Sequence, residues 1–571
     1  MNLKELISVA RGDAPADLLI KNARIVNTFI GEIEQADVAI YGDRIAGIGD
    51  YDKAREVTDL EGAFLAPGLI NGHTHIESSM LHPARYAQAV VPKGTLAVVT
   101  DLHEIANVCG SKGIKFVTDL ARQLPFDMLF MAPSCVPATN LETSGAKISS
   151  GEIKRILDHP RIIGLGEMMN FPGVVTGDEE VVKKVTAARG KVIDGHAPGL
   201  TGKELNAYLS AGIRSDHEST TVEEGEEKLR RGMYLMIREG SSEKNLDALL
   251  ALVTDNTYKR CFFVVDDRSC SDLLREGDID AVVRKAIGRG LDPVRAIQMA
   301  TINPAEYFRL HDRGAIAPGY MANFITITDL TKLEIDAVFY GGKPVGKRGK
   351  PLFLAPPVTP ELGDTVRIKS PTAKSLKIAA TGETYPVIEI IPGQIVTKKA
   401  EEKVKVVDGA VVSDIDHDIL KLVVVERHRA SGNIGVGLVK GFGLTKGALA
   451  SSVAHDSHNV VAVGVSDEEI LTAVEAVRLM GGGLAAASAD AILAKVPLEI
   501  AGLMTAQPVE QLVRQLEAVK DAVSELGCLV EEPFMTLSFL ALPVIPELKL
   551  TDMGLVDVNR FEIVPLFSES G

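Results

Sequence analysis

The sequence has no tryptophan, an aromatic content of only 5% and just five cysteines in 571 residues. Cys109, Cys135, Cys261, Cys270 and Cys528 are scattered, odd in number and without a CxxC pair, which excludes a disulfide framework and fits a reducing cytoplasm. No run of about 20 uncharged apolar residues occurs, since even the small-residue stretch from Gly481 is broken by Asp490 and Lys495. The opening MNLKELISVARGD is charged where a secretory signal needs an apolar core, so a soluble intracellular protein is expected. Net positive charge is lacking as well. At −16 the chain is a poor partner for nucleic acid or an anionic membrane, and a small neutral or cationic ligand suits it better. Two phosphate-binding loops are also missing. GNIGVGLVKGFG (432–443) has Lys440 where GxGxxG needs its third glycine, and Gly481-Gly482-Gly483 has no Lys-Ser/Thr after it.

What is present describes a globular protein of two or three domains, with 46% hydrophobic and 24% charged residues. Residues 17–66 read as short strands between Gly and Asp turns, and the same texture returns at 314–346. Between them, eight apolar runs end in polar residues and lead into helix-like stretches: Leu69–His75, Leu96–His103, Met128–Cys135, Ile162–Glu167, Val192–His196, Ile213–His217, Tyr234–Arg238 and Phe262–Asp267. Eight such units in roughly 240 residues predict an α/β protein whose (β/α)₈ TIM barrel carries its chemistry at the strands' C-terminal ends. The expected organisation is a small β-sandwich domain (1–67 with 308–352), an inserted barrel (68–307) and a C-terminal mixed α/β domain (353–571) entered through the proline-rich PLFLAPPVTPELGD.

His73 and His75 stand two apart on one strand, so both imidazoles point the same way and reach one ion. One HxH is a weak signal by itself. Here Glu167, His196, His217 and Asp266 or Asp267 end four further runs, so six ligand-type side chains converge on one rim. Imidazole and carboxylate together suit borderline divalent metals, and a carboxylate can bridge a pair about 3.5–4 Å apart.

Longer stretches carry a resemblance: GHTHIESSM (72–80), DLHEIANVCG (101–110), PSCVPAT (133–139), GLGEMMNFPGVV (164–175), DGHAPGLTGKELNAYLSAGIRSDHEST (194–220), MYLMIREGSS (233–242), MATINPAEYF (299–308), AHDSHN (454–459) and LPVIPELKLTDMGLVDV (542–558). In these the chain resembles the amidohydrolase superfamily, and within it the bacterial and archaeal adenine deaminases, over nearly its whole length. The resemblance implies a two-metal enzyme of purine salvage that hydrolyses adenine to hypoxanthine and ammonia, by attack on C6 of a hydroxide bridging the metals. Glu167 would bridge, His73 and His75 would hold one ion, His196 and His217 the other, and Asp266 would also touch the hydroxide as catalytic base. Mn²⁺ is the metal the resemblance points to first, with Fe²⁺ and Zn²⁺ as alternatives. A homodimer is the default oligomer. The sequence departs from the family pattern at Asn71, where an aspartate is usual, at Val265 for threonine and at Ser269-Cys270 for His-Pro.

Several further residues have two readings. Glu104 and His103, in a His-Glu-x-x-Asn run, are candidates to protonate the purine ring, and Glu104 is equally a structural ion pair. Glu77 could face the substrate, or lie at the surface or behind the ligands in a supporting role. Asp267 could contact a ring nitrogen or cap the next helix. Arg238 could line the pocket or be paired. His455-Asp456-Ser457-His458-Asn459 is expected to be a hydrogen-bonded loop, because no third partner is evident, rather than a lid or an ion site. The ligand set would also serve hydrolysis of a cyclic amide or an N-acetyl sugar. A barrel kept only to bind metal would show a lost ligand, and none is lost. The HxE…PCxxC spacing of nucleic-acid base deaminases is absent.

Overall fold

The computed structural model describes residues 2–356 and 361–567, so the expected proline-rich linker at 351–364 lies partly outside the described residues. Eight parallel strands form the barrel: Leu69–Thr74, Thr95–Asp101, Asp127–Ala132, Ile162–Met168, Val192–Gly195, Ser215–Asp216, Tyr234–Arg238 and Cys261–Val264. Each expected apolar run overlaps one of them, three of the strands (Thr95–Asp101, Asp127–Ala132 and Cys261–Val264) starting one residue earlier than the run. The first two strands are buried along their whole length, as strands covered on both faces must be, and so read as apolar runs rather than as alternation. The first five pair in order, as do the last three. Arg214 N donates to Ile193 O (3.3 Å) across one seam, and Asp266 N to His73 O (3.0 Å) across the other. At the second seam Asn71 does the work of a clasp. Its Oδ1 accepts from Val265 N (3.3 Å) while its Nδ2 donates to Asp278 (3.2 Å).

Glycine is required where the barrel is tightest. A Cβ on Gly72 would stand 2.5 Å from the Phe262 ring, and one on Gly166 would stand 1.9 Å from an Asp101 carboxylate oxygen. These two glycines precede His73 and Glu167, so close packing fixes the strands that present both side chains.

Among the described residues, the β-sandwich domain hydrogen-bonds into one nine-stranded sheet. Strands from both sides of the barrel insertion meet where Phe64–Pro67 pairs antiparallel with Phe324–Asp329, in the register Phe324↔Pro67. Ile20, Ile25, Val38, Ile40, Leu65 and Phe324 form its core.

The C-terminal domain is built on an eight-stranded sheet with one parallel pair, Thr384–Ile390 with Ile434–Lys440. Its strand Ile419–Val425 shows how it takes helix Asp467–Met480 on one face and the barrel side on the other. Val423 and Val425 pack with Ile470, Ala473, Val474 and Val477 of helix Asp467–Met480. Leu420, Leu422 and Val424 belong to the apolar core shared with the barrel. Successive strand residues alternate faces, so one strand serves two layers. No helix among the described residues is long and apolar enough to cross a membrane.

Candidate metal centre and active site

The strand ends bring His73, His75, Glu167, His196, His217 and Asp266 together, all but His196 buried. The Glu167 carboxylate is turned two ways. Its Oε1 lies 3.1 Å from His75 Nε2 and 4.0 Å from His73 Nε2. Its Oε2 lies 2.8 Å from His196 Nδ1 and 3.3 Å from His217 Nε2. Asp266 Oδ1 closes the first side, 3.1 Å from His75 Nε2 and 3.4 Å from His73 Nε2.

These donors fit divalent metal. Ligands on bonds of about 2.1 Å sit ~3.0 Å apart at adjacent octahedral corners and ~3.4 Å apart at tetrahedral ones. His73 Nε2 is buried and has no hydrogen-bond partner among the described residues, although it faces two carboxylates. Burial, with the charge of His217, lowers the His73 pKa, so its ring is held neutral. Burial works against charge on His75 too, yet hydrogen bonds to Asp266 and Glu167 hold that ring well above the usual histidine range. The cluster attracts positive charge strongly, and that is the condition for holding a metal.

Asp266 adopts a left-handed backbone (φ 57°), which a non-glycine residue keeps only when its surroundings impose it. The first strand imposes it. Besides the His73 bond, Asp266 O accepts from Thr74 Oγ1 (2.9 Å) and from His75 N (3.3 Å). Its Oδ2 accepts from Arg238 Nη1 (2.7 Å), and the same guanidinium holds Glu218 through both carboxylate oxygens (2.5 and 3.1 Å). Arg238 is therefore paired and belongs to the site.

Sequence reasoning missed Glu218. It lies 3.2 Å from His217 Nε2 and 3.6 Å from His196 Nδ1, held well below the usual carboxylate range against burial by Arg238 and His196. Its place directly after a strand-end histidine was the available signal. Asp101 was also missed, and its Oδ2 accepts from Glu167 N (3.0 Å).

A second group adjoins the first. His103 Nδ1 is 3.6 Å from Glu167 Oε1, and its Nε2 is 3.4 Å from Glu104 Oε1. Glu104 is reached from the C-terminal domain: His455 Nδ1 lies 2.6 Å from Oε1, and His458 Nε2 bonds Oε2 closely. The third partner that the loop lacked in sequence is this carboxylate, so the loop docks on the barrel mouth and is more than a self-bonded turn. Burial opposes charge on both rings. His455 is nonetheless raised to about 9 by Glu104, whereas His458 falls to about 4. Glu104 itself stays well below the usual carboxylate range despite burial, because of His455 and His458.

Glu77 is buried, with Oε1 accepting from Ile105 N (3.2 Å) in the first turn of helix His103–Leu120, and burial pushes it up to about 7. The surface reading of Glu77 is thus excluded. Asp267 accepts a hydrogen bond from Ser78 Oγ and caps no helix, since Ser269 caps helix Cys270–Arg275 by accepting from Asp272 N (3.2 Å).

The amidohydrolase family model matches residues 64–345, and the adenine deaminase C-terminal domain model matches residues 394–562. A curated adenine deaminase of Dehalococcoides mccartyi is 58% identical over 565 residues, covering 99% of both chains. Adenine deaminase 2 of Carboxydothermus hydrogenoformans is 50% identical over 566 residues, again 99% of each chain. Adenine deaminase of Methanothrix thermoacetophila is 48% identical over 572 residues, 100% of each. With the barrel and the C-terminal domain each matched by a family model and the whole chain matched by relatives of that name, the chain belongs to the adenine deaminase family of amidohydrolases.

Proposed function

We propose that the chain hydrolyses adenine to hypoxanthine and ammonia in purine salvage, in the cytoplasm, with Mn²⁺ as the preferred metal. The observation that carries this reading is 58% identity over nearly the full length to a protein named adenine deaminase, in a chain that gathers the donors of the Glu167 cluster. Cytoplasmic placement is supported by five cysteines that are all free.

His73, His75 and Asp266 would hold one ion, His196 and His217 the other, with Glu167 between them. Two divalent ions, when bound, lower the pKa of water enough that a nucleophile exists near neutrality. Asp266 accepts the proton of the attacking water at Oδ1, while Arg238 on Oδ2 fixes the carboxylate's direction. Attack on C6 places electron density on a ring nitrogen, which needs a proton. The ionised Glu104 relays it, taking the proton of the charged His455 ring at Nδ1 and passing it to the purine. The proton held by Asp266 then leaves with the amine as ammonia, and as the C6 carbonyl forms, its hydroxyl proton returns to the Glu104–His455 pair. His103 and Asp267 line the purine side, and the C-terminal loop closes this mouth to bulk water.

The test is ammonia and hypoxanthine production from adenine by Mn²⁺-loaded protein, beside a Glu167→Ala control. Equal amounts of both products, lost in the control, are expected. No turnover with Mn²⁺, Fe²⁺ or Zn²⁺ would refute the adenine reading and turn the search to cyclic amides.

A further inference from the structure

Arg427 follows strand Ile419–Val425 by two residues, where the C-terminal domain meets the barrel, and its side chain is wholly buried. All three of its guanidinium nitrogens lack a hydrogen-bond partner among the described residues. A guanidinium keeps its proton in a protein, and burial lowers this one only to about 10, so a full positive charge sits in the interior. The groups beside it do not balance that charge. Glu426, the adjacent residue, is already occupied. Its Oε1 accepts from His428 N and from Arg429 N (2.7 Å), and its Oε2 from Ser431 N (2.8 Å) and Ser431 Oγ (2.7 Å). Cys109, on barrel helix His103–Leu120, faces the guanidinium, but burial pushes its thiol up to about 11 and keeps it uncharged. His428 is neutral too, lowered to about 3 by burial and by Arg427 itself. Beside Nη1 stands Gly502, where an added Cβ would come within 2.0 Å, so no side chain enters there. The hydroxyl near that glycine, Ser452 Oγ, is spent on Gly502 O (2.7 Å) and Gly483 N (2.7 Å).

A charge taken from water without a partner is strongly destabilising. We infer that a small monovalent anion, chloride or its like, is bound by the Arg427 guanidinium inside this junction. One buried cation among neutral neighbours calls for a single negative charge, and free N–H groups are the donors an anion needs. Lys112, exposed three residues after Cys109, adds positive charge on the solvent side and draws anions toward the thiol. The anion acts on the joint between domains. Arg427 N donates to Asn459 Oδ1 (3.3 Å), and Asn459 Nδ2 donates to Thr143 O (2.8 Å) in a barrel loop. Neutralising Arg427 therefore holds this chain of bonds together. None of these residues has been given a part in metal or substrate binding, so the inference stands apart from the adenine reading.

The experiment uses bromide, which takes chloride sites and scatters anomalously. Crystals of the full chain soaked in bromide should show an anomalous peak at hydrogen-bond distance from the Arg427 guanidinium. In solution, replacing gluconate by chloride at constant ionic strength should raise Tm by about 3 °C or more and saturate with concentration. Arg427→Met should lose both the peak and the saturable shift. No bromide peak at Arg427 overturns the inference, and so does a chloride shift of equal size in the wild type and Arg427→Met. If Arg427→Met does not fold, the wild-type bromide map decides by itself.

Discussion

Glu167 and Glu104 are both buried carboxylates ringed by imidazoles, yet they are assembled differently. Glu167 meets five histidines from the ends of four other strands of its own barrel. Glu104 meets His103 beside it and two histidines more than 350 positions away, in another domain. The first cluster is as rigid as the hydrogen-bonded barrel beneath it. The second exists only while two domains remain docked, so one polar cluster is structural scaffold and the other is also a joint.

The largest expected effect tests the rigid cluster. Glu167→Gln should lower kcat/KM at least ~10⁴-fold, about 5.5 kcal/mol of barrier, and empty both ions of the pair; steady-state kinetics with metal analysis reads this. Removing the cation that holds Asp266 and Glu218 comes next. Arg238→Met deprives Asp266 and Glu218 of the cation they share and should cost about 3–5 kcal/mol in urea unfolding. At the joint, Glu104→Gln should lower kcat by roughly 10²–10³-fold with KM little changed, as loss of the proton relay from His455 predicts. An equal loss of the metal pair in Glu104→Gln and Glu167→Gln would erase the distinction between the two carboxylates. His458→Gln keeps a hydrogen bond to Glu104 and should cost only about 10-fold.

A histidine outside both clusters sharpens the contrast. His82 caps helix Pro83–Val90 by accepting from Ala84 N at Nδ1 (3.2 Å), and burial lowers it to about 4. The folded state therefore binds fewer protons here than the unfolded chain between pH 6.5 and about 4, so this contribution is lost as pH falls through that window. By pH 5 the loss should reach about 2 kcal/mol, and His82→Asn, which keeps a capping oxygen, should remove that part of the acid sensitivity in urea titrations at pH 7 and pH 5.

The same contrast explains how far the sequence could be read. Barrel strands are buried on both faces, so each reads as an apolar run, and the polar residue ending it marks the mouth. His73, His75, Glu167, His196, His217 and Asp266 were legible for that reason. Arg238 had two readings because its partners, Glu218 and Asp266, lie on other strand ends. The role of His455 and His458 was illegible, since docking onto Glu104 depends on how two sheets share one apolar core, and no local period encodes that. Asp267 showed the limit of local rules. It stands just before a helix, but the capping position falls two residues later, on Ser269.

The strand pair that joins Pro67 to Phe324 also sets a schedule for synthesis. Half of the nine-stranded sheet leaves the ribosome early and must wait for about 260 further residues before its missing neighbour arrives. At roughly 5–20 residues per second the delay is ~13–50 s. Throughout it, Phe64–Pro67 has one edge paired with Ala16–Asn27 and the other bare, an open template for strands of other nascent chains. Yield in the cell is therefore governed by how that edge is guarded during translation, and slowing the ribosome within the barrel should send more of the protein into aggregates.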